Sequence, residues 1–193
     1  MATPPRARRS DAQRNRDRLL EVARTVFEEQ GAQASLRDIA RRAEVGLGTL
    51  YRHFPTRDAL LDSLLGRHFD ALAAQAADLA AAHPPREALT TWLRAFAAQA
   101  AAYQDLSAAL MDTINDETSP LHASCSAMRG AGARLLRDAQ DAGDVRPDVD
   151  GLELFALVNA VAWITGHSPA VAARRDHLLD LVLDGLAAPS SRR

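Results

Sequence analysis

Residues 35–54, SLRDIARRAEVGLGTLYRHF, hold the side chains best suited to chemistry: two hydroxyls, a phenol, a histidine and four arginines within twenty positions. Hydroxyls and guanidinium groups bind phosphate oxygens, and polar side chains on a helix can read base edges in a major groove wide enough to admit that helix. Gly48, Thr49, Arg52 and His53 lie on the polar side of the run from Leu47 to Phe54, free to face such a groove, while Leu50 and Phe54 are left for a core.

Those side chains need rigid elements beneath them. Leu19, Leu20, Ala23, Val26 and Phe27 recur at helical spacing, predicting a first helix over 11–30 that Gly31 ends. Ser35 stands as N-cap of a short second helix, its hydroxyl accepting from the backbone N–H of Arg37 or Asp38. Glu44-Val45-Gly46 forms a turn into a third helix, which Pro55 stops. Two short helices joined by a three-residue turn containing glycine match the helix-turn-helix pattern, with Ile39, Ala40, Val45, Leu50 and Phe54 as its shared core. The competing reading is two amphipathic helices packed within an all-α domain, with Tyr51 and His53 as partly buried surface residues. Thr56 caps a long fourth helix, with Asp58 favourably placed in its first turn, that keeps its period until His83-Pro84-Pro85.

The rest of the chain reads the same way. Helices are expected through Trp92 and Phe96 to about Tyr103, through Leu106 to Ile114, from Leu121 to near Gly143, and over 149–166 and 170–187. Gly130 and Gly132 are expected to weaken the seventh helix by about 1 kcal/mol each relative to alanine. The total is about nine helices in an all-α fold, and no segment alternates as a strand. Composition agrees: 40 Ala, 23 Arg, no Lys and 5 % aromatic residues favour helix over sheet.

Charge is unevenly distributed. Residues 1–60 hold 12 Arg against 8 acidic residues, and residues 61–193 hold 11 Arg against 17, a basic head on an acidic body. The head is therefore the part suited to a polyanion. The single cysteine, Cys125, excludes an intramolecular disulfide and a thiolate metal cluster, and fits a reducing compartment. The N-terminal stretch lacks the apolar core of a signal peptide, so a cytoplasmic location is expected. The run from Leu154 to Gly166, interrupted by Asn159, falls short of the roughly 20 apolar residues needed to span a bilayer, so no membrane partner is expected. No cofactor or metal site is expected either.

The stretch IARRAEVGLGTLYRHFPTRDALL resembles the DNA-binding signature of TetR/AcrR-type transcriptional regulators, closely over about residues 15–65. The Val-Arg-Pro-Asp turn at 145–148 is similar to that of the SbtR-like subgroup. The resemblance implies that Tyr51, His53 and Arg57 contact phosphates, as do Ser35 and Arg37 at the start of the second helix. It sets Leu47, Gly48, Thr49 and Arg52 at or beside the base-facing end of the third. In that role Arg52 can pair with guanine O6 and N7, and Leu47 or the Thr49 methyl can touch a thymine methyl. Two positions depart from the family pattern: Glu44 stands where glycine is usual, and Gly46 where a serine or threonine cap is usual. Left-handed geometry at Glu44 costs roughly 1–2 kcal/mol.

The implied organisation is a flexible basic tail at 1–10, a DNA-binding domain at 11–57, a regulatory and dimerisation domain at 58–188, and a short flexible tail at 189–193. A basic tail bearing Arg6, Arg8 and Arg9 is either solvated or a minor-groove arm. Both faces of 152–166 are apolar: Leu152, Phe155, Ala156, Ala162 and Trp163 on one, Leu154, Leu157, Val158, Val161 and Ile164 on the other. The last helix, with Leu178, Leu179, Leu181, Val182, Leu183 and Leu186, has the same character. The pair predicts a homodimer through the last two helices. Trp92, Phe96, Met111, Met128, Phe155 and Trp163 are candidate walls of a pocket for a small-molecule effector, or plain core. Asn159 can orient a ligand, hydrogen-bond within the bundle or pair across the dimer axis. His68, His122 and His167 pose the same question, and Cys125 has no sequence-local activating pair. The expected function is a ligand-responsive repressor that binds a palindromic operator as a homodimer and is released by its effector. An activator, a ligand-independent regulator, an all-α enzyme and an adaptor without DNA binding are the alternatives.

Overall fold

The computed structural model describes residues 5–30, 34–102 and 108–188. Among them ten helices follow one another: α1 (Pro5–Gln30), α2 (Leu36–Arg42), α3 (Leu47–His53), α4 (Arg57–Ala82), α5 (Pro85–Ala102), α6 (Ala108–Asn115), α7 (Pro120–Asp141), α8 (Gly151–His167), α9 (Pro169–Ala172) and α10 (Arg175–Gly185). No strand occurs among the described residues. One isolated bridge joins Val145 to Ala187, and with Arg146 N donating to Leu186 O (2.9 Å) it pins the Val-Arg-Pro-Asp turn to the end of α10.

Local chemistry explains most boundaries. Ser35 Oγ accepts from Arg37 N (3.2 Å) and Thr56 Oγ1 from Ala59 N (3.0 Å), satisfying amides that have no intrahelical partner. Ser119 caps α7 in the same way, and Asp150 with Glu153 forms a reciprocal capping box at α8. Gly143, at φ 77°, ends α7 in the left-handed conformation that glycine adopts without penalty.

Three expectations need correction. Helix α1 starts at Pro5, not near residue 11. Proline suits a first helical turn and arginine is a strong helix former, so residues 5–10 join the helix and the Arg-rich stretch is no separate tail there. Gly31, Tyr103, Leu106 and the 189–193 tail lie outside the described residues. The expected single helix over 170–187 is two, because Ala173 and Arg174 interrupt it. Ala-Ala-Arg-Arg is a strong helix-forming run, so packing overrides propensity. The chain turns there so that Leu179, Leu183 and Leu186 bury against the body. Finally, Gly132 is a packing requirement and not a weakness of α7. A Cβ there would lie 2.5 Å from the Trp92 ring and 2.8 Å from Phe155.

The buried residues form two cores. The head core joins Leu19, Leu20, Val26 and Phe27 of α1 with Ile39, Leu50, Phe54 and the first turns of α4. The body core lies between α4, α5, α7, α8 and α10, around Trp92. Burying each such leucine or phenylalanine contributes about 1.5–3 kcal/mol. Trp92 Nε1 donates to Leu72 O (2.8 Å), and its ring stacks on Phe96 (5.7 Å, 3°). Phe155 meets Trp92 and Phe96 edge-on, at 5.8 and 5.2 Å.

Candidate nucleic-acid interface and body cavity

Helices α2 and α3 present the side chains singled out in the sequence. Leu50 and Phe54 are buried beneath α3, so Gly48, Tyr51 and Arg52 are exposed and Thr49 and His53 half-exposed. Leu47 is partly buried against the head core. A Cβ at Gly48 would meet nothing within 4 Å, so the backbone there is open to close approach from outside. Arg52 folds along its own helix: Nε donates to Gly48 O (3.2 Å) and a terminal nitrogen to Thr49 Oγ1 (2.9 Å). Reaching a base edge requires exchanging those two bonds.

Charge pairing separates the arginines of the head. Arg42 pairs with Glu29 (2.6 Å) and Asp38 (2.9 Å), Arg18 with Glu44 (2.7 Å), and Arg41 also with Asp38. Arg37, exposed at the start of α2, and Arg52 have no carboxylate partner among the described residues. Arg57 lies over the Phe27 ring at 5.2 Å, at the first residue of α4. Glu44 does adopt the left-handed conformation, φ 54°, yet Val45 N still donates to Ala40 O (2.9 Å) and the turn stays closed. Gly46 caps α3 without a side-chain bond.

Two contacts tie α1 to α4 one to three turns beyond Arg57. Arg16 donates to Ser63 Oγ (3.1 Å), and Arg67 pairs with Asp17. The guanidinium beside Asp17 holds its carboxyl below the usual carboxylate range, with Gln13 adding a second bond.

Where α4 enters the body a cavity of about 390 Å³ opens, within the size range of small-ligand sites. Six of the seven proposed pocket residues line it: Phe96, Met111, Met128, Phe155, Asn159 and Trp163. Trp92 does not; it is wholly buried behind Phe96, where it backs the wall. Asn159 spends its amide N–H on Phe155 O (2.8 Å), within its own helix. Of the histidines, His68 lines the cavity, whereas His122 bonds Ile114 O (2.9 Å) and His167 stacks on Trp163 (4.6 Å).

Sequence reasoning raised His68 as a question but missed the rest of the α4 contribution, namely Leu65, Phe69 and Leu72, together with Gln99, Ile114, Cys125 and Arg129. Helical register offered a signal: Gln99 follows Phe96 by three positions, and Arg129 follows Cys125 by four. Burial pushes the Cys125 thiol up, against the opposing pull of Arg129.

The division of α8 into two faces also needs correction. Leu154, Phe155, Val158 and Ala162 turn inward together, while Leu152 (68 % exposed), Leu157, Trp163 (59 %) and Ile164 turn outward, joined by Leu181 of α10. Inward residues at i, i+1, i+4 and i+8 follow the 3.6 period that a two-way split had blurred.

Comparison with known proteins agrees with these features. The model described as "Bacterial regulatory proteins, tetR family" matches residues 19–64, and "Transcriptional regulator SbtR-like, C-terminal domain" matches 84–188. The crystal structure of the TetR transcriptional regulator SCO0520 from Streptomyces coelicolor is 37 % identical, with a TM-score of 0.72, over 91 % of this chain and 99 % of that one. A TetR transcription regulatory protein from Mycobacterium vanbaalenii is 33 % identical, with a TM-score of 0.63, over 93 % and 99 %. The HTH-type transcriptional repressor KstR2 of Rhodococcus jostii strain RHA1 is 29 % identical over 98 % of this chain and 99 % of its own length.

Proposed function

Because the chain belongs to the TetR family of bacterial regulatory proteins, with an SbtR-like C-terminal domain, we propose that this DNA-binding transcriptional regulator is an effector-released repressor. It binds a palindromic operator in the cytoplasm as a homodimer through α8 and α10. The observation that carries the reading is the cavity's position. Phe69 and Ile114 pack against both the head core and the body core, and both line the cavity. A molecule that fills it therefore presses on the residues through which the two cores touch.

Helix α4 is the connecting element. It starts at Arg57, is tied to α1 through Ser63 and Arg67, and supplies the cavity wall from Leu65 to Leu72. Two recognition helices of a dimer must reach successive major grooves about 34–36 Å apart. A small tilt of α4 in each protomer changes that separation, and a coupling of about 1–3 kcal/mol changes operator affinity roughly 5- to 150-fold. The outward apolar residues of α8 and α10 supply the dimer face.

Gel shift against the DNA upstream of the chain's own coding sequence tests the reading. Binding in low salt is expected, and Arg57→Ala or Arg37→Gln should each flatten the salt dependence by about one unit for every sequence. Changes at Thr49 or Arg52 should instead relax the preference at particular base pairs. Leu157→Glu with Ile164→Glu should yield a monomer by sedimentation and abolish operator binding. Absence of DNA binding by the intact chain in low salt would sink the proposal.

A further inference from the structure

The described lining of the cavity contains one guanidinium, Arg129, and no aspartate or glutamate. Burial divides that lining in two. Phe96, Cys125, Met128 and Phe155 are buried and form an apolar floor, whereas Met111, Arg129, Asn159 and Trp163 are exposed and form the rim. Among the described residues Arg129 makes no ion pair or hydrogen bond, in contrast to the paired Arg18, Arg42, Arg67 and Arg94. Its field reaches the cavity wall, since it opposes the upward shift of the Cys125 thiol.

From this arrangement, and resting on the effector-released reading above, we infer that the cavity takes an apolar monocarboxylate, its hydrocarbon body on the Phe96–Met128–Phe155 floor and its carboxylate on Arg129. A planar guanidinium binds a carboxylate through two parallel charge-assisted bonds, roughly twice as strong as neutral ones. An unpaired arginine beside an apolar surface, with no carboxylate among the described lining residues to compete, selects for that group. A cationic ligand would meet repulsion from Arg129, with no acid among the described lining residues to compensate. A wholly apolar one would forgo the charge that Arg129 places at the rim. Asp112 of the neighbouring α6 and Asp116 just past its end are exposed and do not line the cavity, and Asp116 is already bonded to Thr118 (2.7 Å).

The test uses matched pairs that differ only in the head group: decanoate against decanol, and naphthaleneacetate against naphthaleneethanol. Each is titrated calorimetrically into the full-length chain at neutral pH and then added to the operator complex. For at least one pair the acid should bind at least about tenfold more tightly than the alcohol, a difference of about 1.4 kcal/mol. Arg129→Gln should bring acid and alcohol to within about twofold of each other without changing the alcohol's affinity. Arg129→Lys should restore part of the preference. Arg129 is exposed, so these variants leave the fold intact, which an unchanged melting temperature would verify.

Equal binding of acid and alcohol, a preference that persists in Arg129→Gln, or no binding of any member of either pair would overturn the inference. Alcohols that bind and release the operator would do so while leaving the effector-released reading in place. Failure of the unliganded chain to hold any operator would instead remove that reading, whatever the head-group preference.

Discussion

The head and the body of this chain bury similar kinds of side chain and put them to opposite use. In the head, Leu50 and Phe54 are fully buried in the core beneath α3, and the functional side chains face outward. In the body, an aromatic cluster backed by Trp92 stops short of filling the interior, and the functional side chains face a cavity. Reading a surface as large as a DNA groove requires a rigid display, so any slack under α3 would misplace every contact. Enclosing a small molecule requires the reverse, a core left underfilled at one place and stiff around it.

The largest expected effect breaks the head alone. Phe54→Ala removes a fully buried ring and should cost about 3–5 kcal/mol, abolishing operator binding. If the head is a separate unit, calorimetry should show an early transition while the body keeps its own melting temperature and dimerises. A single shared transition would mean that the bridging Phe69 and Ile114 fuse the two cores into one cooperative unit.

Gly132→Ala attacks the body in the same spirit. Trp92 is held by its bond to Leu72 O and by two rings, so it cannot yield to a methyl group 2.5 Å away. Overpacking should cost about 1–3 kcal/mol and lower the melting temperature of the body. Operator affinity should fall less than effector affinity, because the strain enters the cavity wall first.

Thr56→Ala tests the junction. Loss of the cap at Ala59 N should cost about 0.5–2 kcal/mol and fray the first turn of α4, weakening DNA binding through Arg57 more than it lowers the melting temperature. A hydrogen-exchange measurement on residues 57–60 would show the fraying directly.

The smallest effect concerns the Arg67–Asp17 pair. Asp17 has its carboxyl held below the usual range, so the folded state favours the ionised form. That stabilisation is present at neutral pH and is lost as pH falls through the lowered value. Arg67→Gln should therefore lower the melting temperature slightly at neutral pH and not at all in acid. Its effect on effector response should be larger than its effect on stability, since the pair joins α1 to the helix that walls the cavity. A pH-independent difference would show that Arg67 acts through packing alone.

The two regions also differed in how far they could be read in advance. For the head, the information lies within a few residues. Ser35 caps the helix it precedes, Thr56 does the same for α4, Pro55 follows the stop of α3, and Leu50 and Phe54 fall four positions apart on its inner side. Propensity, capping and register act at that range, and the left-handed backbone of Glu44 matches the glycine that the family resemblance implies at that position. An all-helical body was equally legible from its periodicity, as were five of the apolar residues that line its cavity, Phe96, Met111, Met128, Phe155 and Trp163.

Other features depended on residues far apart in the chain. Gly132 looks like a weak point in α7 until Trp92, forty positions earlier, is brought against it. The break at Ala173 and Arg174 contradicts local propensity and exists because α10 must bury Leu179 and Leu183. Which arginines are neutralised, which α8 residues turn outward, and that Arg129 and His68 share a cavity were decided by how the helices pack. The sequence by itself determined the helices, the recognition motif and its family, because those rest on short-range geometry and backbone hydrogen bonding. Only the tertiary structure decided where the interior is left open and what charge stands at its rim, because an underfilled space is a property of several helices at once and of no single segment.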